Sequence, residues 1–226
     1  RQGRIMTEPY LFIHIPGMEN SPHVVYTWVI MIFLAILTFT VRGALHIVPS
    51  GAHNVVEVVV SGLADFMDTT IGHGGRRFLP LVGTLAFFIL ISNLLGLVPG
   101  FSSPTANLNT NFAMALTVFV VYNFAGIRKK GLVNYIKHFA GPLWWLAPLM
   151  FPVEVISHIA RPITLAVRLF GNVRGDEMVI LVLLFLVPLL LPIPMMALTV
   201  FFSLLQTFVF ILLTMVYLAL ALQDDH

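Results

Sequence analysis

Cysteine is absent from the 226 residues of this chain, and charged residues make up only 10% of it. The lack of cysteine excludes disulfides, zinc–thiolate sites, iron–sulfur clusters and cysteine nucleophiles. Ordinary soluble domains carry roughly 25% charged residues. Hydrophobic residues account for 58% of this chain, so its composition predicts a protein that lies in a membrane.

Basic residues are also too few and too scattered to form a patch. Lys and Arg together number 12 against 10 acidic residues, and they fall on short connections between apolar blocks. A nucleic-acid surface requires clustered basic residues on one face. We therefore expect no nucleic-acid partner, and no motif in the chain predicts a cofactor.

Long apolar blocks predict an all-α integral membrane protein of about five to six helices. A hydrocarbon core of about 30 Å needs ~20 helical residues, and proline and glycine separate blocks of about that length. We expect an extramembrane segment over 1–23 and a single membrane domain over 24–226. Its predicted elements are a helix over 24–48, an amphipathic helix over 54–68, spans over 78–98 and 110–127, and a hairpin over 144–187 and 195–222.

Two of these elements differ from ordinary spans. Residues 54–68 mix valines with Glu57 and Asp65, which is typical of a helix lying at the membrane surface, although a plain connecting loop fits as well. The first arm of the hairpin, at 1.5 Å per residue, reaches roughly 65 Å. This arm must therefore tilt steeply, kink at Pro162 or lie partly along the membrane.

The distribution of basic residues predicts the orientation. Arg76, Arg77 and the run 128–130 fall on one side of the predicted spans, whereas the connection 99–111 carries no Lys or Arg. Cytoplasmic connections carry the excess of basic residues. We therefore expect the N-terminus outside and the C-terminus in the cytoplasm.

Polar residues in the first arm of the hairpin form a stripe. Glu154, Arg161 and Arg168 recur every seven residues, and seven steps of about 100° return to nearly the same face of a helix. Lipid offers no hydrogen-bond partner, so the stripe must face protein or water. Further polar or small residues near this stripe are Ser157, His158, Thr164, Asn172, Gly175 and Asp176.

Arg168 is the residue of the stripe that is most costly to place in a membrane, because its guanidinium cannot lose its proton. A charge at mid-membrane costs about 2.5–3.5 kcal/mol on insertion scales. One explanation is an ion pair within the chain, with Glu154, Asp176 or Glu177, or snorkelling to the surface. Glu154 lies roughly 21 Å away along the helix axis, which is too far for a direct bond.

A second polar line runs along the last helix. Its members are Thr199, Ser203, Gln206, Thr214 and Tyr217. Gln206 is the most informative, since a buried amide needs partners, whereas threonine and serine can bond to their own helix. The proline-rich turn at 188–194 makes the two arms antiparallel, so the stripes can face each other.

The chain resembles subunit a of F-type ATP synthases. The resemblance rests on the run Arg161-Pro-Ile-Thr-Leu-Ala-Val-Arg168-Leu-Phe-Gly-Asn172 followed by Gly175-Asp176-Glu177. The segments 93–99, 104–109 and 205–210 look like further landmarks of that family and follow in its order.

This resemblance implies a non-catalytic, proton-conducting stator subunit with two offset half-channels beside a rotating c-subunit ring. Arg168 would face the ring carboxylates, and Gly171 would allow the ring close approach. The inner path would be lined by Glu154 and Ser157, with Arg161 on the same stripe. His158 also lies on that side and ranks below Glu154, since such a histidine is more often a core or pairing residue than a proton relay. The outer path would be lined by Asn172, Asp176, Glu177 and Gln206. The implied partners are the c-ring, the peripheral-stalk b subunits and the remaining ATP synthase subunits, in a bacterial inner membrane.

Some positions depart from what many family members carry. Asn107 stands where an acidic residue is frequent, Thr199 where some members have histidine, and Arg174 adds a charge to the outer path. Helix capping explains Asn107 about as well as a role in the path. The choice between proton and sodium coupling stays open.

Two other classes of protein remain as alternatives. A secondary transporter or ion channel with a polar site at the membrane midplane would show paired repeats, yet the polar chemistry here lies in the C-terminal half. An enzyme could use Glu154 and His158 as a metal pair, but no His-Glu-x-x-His motif, nucleophile elbow or phosphate loop accompanies them.

Overall fold

The computed structural model describes residues 22–43, 52–72, 74–98, 101–131, 135, 147–186 and 190–223. Helices and short connections account for all of these residues, and none of them forms a strand. The predicted all-α class is therefore confirmed. Most of the predicted extramembrane segment 1–23 lies outside the described residues, as do residues 44–48, 144–146 and 187 of the predicted helices.

Six α-helices and two short 3₁₀ turns make up the described part. The helices are α1 (Pro22–Gly43), α2 (Ala52–Ile71), α3 (Leu79–Leu95), α4 (Leu108–Lys130), α5 (Ala147–Leu186) and α6 (Pro192–Leu222), and the 3₁₀ turns are Gly75–Phe78 and Pro104–Ala106.

Local chemistry explains where α4 begins and ends. Asn107 caps its N-terminus, because the Asn107 side chain accepts a 2.9 Å hydrogen bond from the backbone N–H of Asn109. Gly131 ends the helix at a φ of 79°, a conformation that only glycine adopts without strain. The sequence left two roles open for Asn107, helix capping or a place in the path, and capping accounts for its side chain.

Each arm of the C-terminal hairpin is longer than the hydrocarbon core of a membrane is thick. α5 has 40 residues and α6 has 31, which correspond to about 60 Å and about 46 Å against a core of about 30 Å. Pro152 and Pro162 lie within α5. Among the described residues, three helical segments are long and apolar enough to cross a membrane, namely Gly75–Leu95, Leu108–Lys130 and Pro192–Leu222.

A compact apolar core joins α3, α4, α5 and α6. Its fully buried members include Val82, Ile89, Leu169, Phe210 and Leu218. α2 also reaches this core through Met67, which is fully buried, and through Phe66, whose ring stacks on Phe208 of α6 at 5.7 Å. The core fixes which faces of α5 and α6 turn outward.

The two ends of the bundle are chemically different. At one end, which we call the basic end, Nζ of Lys129 donates a 2.7 Å hydrogen bond to the carbonyl of Leu222. At the other, the connection end, the Tyr26 ring near the start of α1 contacts Phe101, between α3 and α4, with ring centroids 5.7 Å apart. The C-terminal end of α6 therefore lies beside the basic run of α4, and the start of α1 lies at the opposite end.

Candidate functional site

Arg168 lies on the outward face of α5. Behind it, Leu165, Ala166 and Leu169 are buried in the core with 2%, 0% and 0% exposure, so packing holds the helix with the arginine outward. Arg168 itself is exposed, and it forms no hydrogen bond or ion pair with any residue that the structure describes. The intramolecular pairs with Glu154, Asp176 or Glu177 are therefore not present.

One helical turn beyond Arg168, a hydrogen bond joins the two polar stripes. Asn172 donates from Nδ2 to Oε1 of Gln206 at 2.7 Å. Gln206 is buried, with 6% of its surface exposed, so this bond satisfies an amide oxygen that would otherwise be costly to bury. Asn172 and Gln206 are thus brought together, as the antiparallel arrangement of the arms predicts.

Towards the connection end, Glu177 pairs with Arg174. Its Oε2 lies 3.2 Å from Nη1 of Arg174. Arg174 therefore neutralises part of the charge that Glu177 adds to the outer part of the stripe.

A small cavity opens beside Glu177. It has a volume of about 20 Å³, room for about one water molecule. Its polar lining residues are Asn93, Asp176, Glu177, Thr199 and Ser203. Asn93 is 3% exposed, and its Nδ2 has no hydrogen-bond partner among the described residues. Such a donor beside two carboxylates favours an ordered water at this position.

Hydrogen bonds in the connection between α3 and α4 hold Asn93 in place. The hydroxyl of Thr105 donates to Oδ1 of Asn93 at 2.7 Å, and Nδ2 of Asn111 donates to the Thr105 carbonyl at 2.7 Å. The Ser103 hydroxyl bonds to the Ser92 carbonyl at 2.8 Å. Ser103, Thr105 and Asn111 were not predicted from the sequence as members of the site.

Towards the basic end, Arg161 has two contacts. Its Nη2 lies 3.6 Å from Oε1 of Glu154, and its guanidinium carbon lies 5.5 Å from the centre of the Tyr217 ring. Ser157 is exposed on the same outward face as Arg168. Of the two arginines on the stripe, Arg161 therefore has partners among the described residues and Arg168 has none.

His158 points away from this face. It is 9% exposed and packs against α4, where its Nε2 lies 2.8 Å from Oδ1 of Asn123. Phe119, Tyr122 and Asn123 of α4 contact it, and none of the three was predicted from the sequence as part of the site. An asparagine within an apolar span was the available signal, because a buried amide requires a partner.

Several small polar residues of the last helix have a local role. The hydroxyls of Thr199, Thr207 and Thr214 each donate to a carbonyl of their own helix, at Met195, Ser203 and Phe210 respectively. Such bonds are common for threonine in helices. Among the residues that the structure describes, Gln206 alone carries a hydrogen bond from α6 to the opposite stripe.

A family comparison decides the membership of the chain. The family model described as ATP synthase A chain matches residues 24–219. The chain belongs to this family. The resemblance predicted from the sequence is therefore confirmed.

Similar proteins support the same assignment over nearly their whole length. The chain is 48% identical to ATP synthase subunit a 1 of Syntrophotalea carbinolica, with 98% of this chain and 100% of that protein covered. It is 49% identical to ATP synthase subunit a of Trichlorobacter lovleyi, with 95% and 92% covered. It is 47% identical to the Geobacter sulfurreducens subunit, with 99% and 95% covered. These relatives favour the subunit a assignment over a secondary transporter.

Proposed function

We infer that this chain is the proton-translocating stator subunit in the membrane sector of an ATP synthase. Its role is non-catalytic, so nucleotide chemistry belongs to other subunits of the complex. Family membership supports the assignment. The observation that carries the mechanism is an exposed Arg168 with no partner among the described residues.

An unpaired arginine on the apolar surface of a membrane protein requires an opposite charge from elsewhere. Guanidinium stays protonated at all physiological pH values, and burial without a partner is costly. A carboxylate on each subunit of a c-ring would supply that partner in turn. The nearby cation favours the ionised carboxylate, so the ring carboxyl releases its proton as it approaches Arg168.

The surface around Arg168 suits a moving partner. Gly171 and Gly175 lie on the same exposed region of α5, and a side-chain carbon added at either would meet nothing within 4 Å. Small residues allow another helix to approach closely in a membrane. A ring of helices could therefore pass Arg168 without being held by interlocking side chains.

Two half-channels then follow from the positions of the polar groups. Asn172, Asp176, Glu177 and Gln206 lie on the connection-end side of Arg168 and would form the outer path. Glu154, Ser157 and Arg161 lie on its basic-end side and would form the inner path. Arg168 separates the two paths, because a fixed cation repels a proton that would cross directly between them.

The orientation and the partners belong to the same proposal. Basic residues at one end of α4 favour a cytoplasmic basic end, with the N-terminus outside and the C-terminus inside a bacterial inner membrane. The proposed protein partners are the c-ring, the peripheral-stalk b subunits and the remaining ATP synthase subunits.

Replacing Arg168 by alanine tests this function. We expect R168A complexes to assemble and to retain ATP hydrolysis but to lose ATP-driven proton pumping in vesicles. Arg76→Ala is the matched control, since Arg76 pairs with Asp68 at 2.8 Å outside the stripe. Pumping by R168A at the wild-type rate would reject the assignment. The same assay with and without sodium identifies the coupling ion.

A further inference from the structure

His158 is the only histidine in α5, and a hydrogen bond ties it to α4. Its Nε2 lies 2.8 Å from Oδ1 of Asn123. The Asn123 Nδ2 donates to the carbonyl of Phe119 at 2.7 Å, so Oδ1 is left as the acceptor. Nε2 of His158 must therefore carry the hydrogen and donate it to Asn123.

Tyr135 completes this arrangement from the segment that follows α4. Its hydroxyl donates to the same Asn123 oxygen at 2.9 Å. Gly126 makes this possible, because a side-chain carbon there would lie 2.6 Å from Cε2 of Tyr135. Asn123 thus accepts two hydrogen bonds, one from α5 and one from the segment after α4. We call Asn123, Tyr135 and His158 the clasp.

A continuous set of ring contacts runs from the clasp to the polar stripe. The His158 and Tyr122 rings are 5.3 Å apart, and the Tyr122 and Tyr217 rings are 6.0 Å apart. Tyr217 in turn lies against the guanidinium of Arg161 at 5.5 Å. Arg161 is then 3.6 Å from Glu154. Displacing His158 would therefore remove support from Tyr122 and, through it, from Tyr217.

We propose that the clasp is a positioning device that keeps the Tyr122 and Tyr217 rings packed against Arg161 and so holds Arg161 beside Glu154. This inference rests on the proposed function, in which Arg161 and Glu154 line the inner path. His158 is a positioning residue and carries no proton along that path, since its Nε2–H is committed to Asn123 and its side chain is buried.

Substitutions of His158 test whether pumping depends on its hydrogen bond or on its ability to take up a proton. In vesicles carrying the whole complex, we expect His158→Leu to slow ATP-driven pumping per assembled complex roughly two- to tenfold, the effect of one lost hydrogen bond. His158→Gln keeps an N–H donor at a similar reach but cannot titrate, and we expect it to restore most of the rate. Asn123→Leu removes the bonds from both His158 and Tyr135 and should slow pumping at least as much as His158→Leu.

The control is Ile159→Leu, a change at an exposed neighbour on the same helix. Pumping by H158Q as slow as that of H158L would overturn the proposal, because the imidazole itself would then be required. Failure of H158Q, H158L and N123L alike to assemble would also overturn it, since the clasp would then serve folding alone.

A double-mutant cycle tests whether the clasp acts through Arg161. If it does, the double variant His158→Leu with Arg161→Gln pumps no more slowly than Arg161→Gln alone, because the positioned group is already absent. If the double variant instead slows pumping by the product of the two single effects, His158 acts elsewhere and the proposal is rejected. R168A in the same assay tests the proposed function itself. A result that rejects the proposed function can therefore be told apart from a result that rejects the clasp.

Discussion

Asn172 and Gln206 share a 2.7 Å hydrogen bond that joins α5 to α6 one helical turn beyond Arg168. The bond fixes the rotation of the two helices at the level where the outward arginine must meet its partner. Gln206 is buried, whereas Asn172 remains exposed beside it. The pair therefore connects the packed interior to the surface that carries Arg168.

We expect this bond to appear as a coupling between the two residues. Asn172→Leu and Gln206→Leu should each slow ATP-driven pumping, and the double variant should be less impaired than the two effects combined. The coupling expected for a hydrogen bond between membrane helices is about 0.6–1.7 kcal/mol. Rates per assembled complex, compared in a double-mutant cycle, measure it.

The control for that cycle is Thr207→Val, which removes a hydroxyl that bonds only to its own helix at Ser203. We expect nearly unchanged pumping. Strict additivity of N172L and Q206L would contradict a direct role for the bond.

A second prediction concerns Glu177 and its neighbour Arg174. Glu177→Gln removes a group that can take up and release a proton, so we expect pumping to fall at least about tenfold. Arg174→Gln removes only a partly exposed i,i+3 ion pair, and such pairs contribute little. We expect R174Q to stay within about threefold of the wild type.

Passive proton conduction through vesicles stripped of the catalytic sector measures the same difference without nucleotide turnover. Equal loss in E177Q and R174Q would mean that the ion pair, rather than proton exchange at Glu177, is what the outer path needs.

Family membership and the general layout were predictable because they depend on local patterns. The seven-residue spacing of Glu154, Arg161 and Arg168 already places these side chains on one face, and the lengths of the apolar blocks predict an all-helical protein. Gln206 stood out as an amide in an apolar helix. These features require no knowledge of which helices touch.

The specific pairings depended on tertiary contacts and could not be predicted. His158 and Asn123 are 35 residues apart, and nothing in their local sequence indicates that they meet. Asn93 begins one of the family landmarks, but its hydrogen bond from Thr105 depends on how the connection between α3 and α4 folds back. The partners of a buried amide are set by the packing of helices, which periodicity alone does not determine.

A third prediction tests the close packing of that connection. A side-chain carbon at Gly96 would lie 2.8 Å from Cβ of Ser103, so Gly96→Ala forces the connection away from α3. Overpacking of this kind costs about 1–3 kcal/mol. We expect a lower thermal midpoint for the purified complex. Gly62→Ala is the control, since space is open there, and equal destabilisation by both would contradict the predicted clash.

The last prediction uses the absence of cysteine to determine orientation. Asn109 and Arg128 are both exposed and lie near opposite ends of α4, about 28 Å apart along the helix axis. Single cysteines at these two positions are therefore unique labels on the two sides of one membrane span. With the basic end in the cytoplasm, a membrane-impermeant maleimide should label N109C in intact cells and R128C only in inverted vesicles.

A tag at the C-terminus adds an independent check of the same topology. Because Lys129 contacts the carbonyl of Leu222, the tag should be accessible from the same side as R128C. Labelling of R128C in intact cells would reverse the proposed orientation and exchange the inner and outer paths. A tag on the opposite side from R128C would instead contradict the packing of α4 against the end of α6, because both groups must lie at one surface for that hydrogen bond to form.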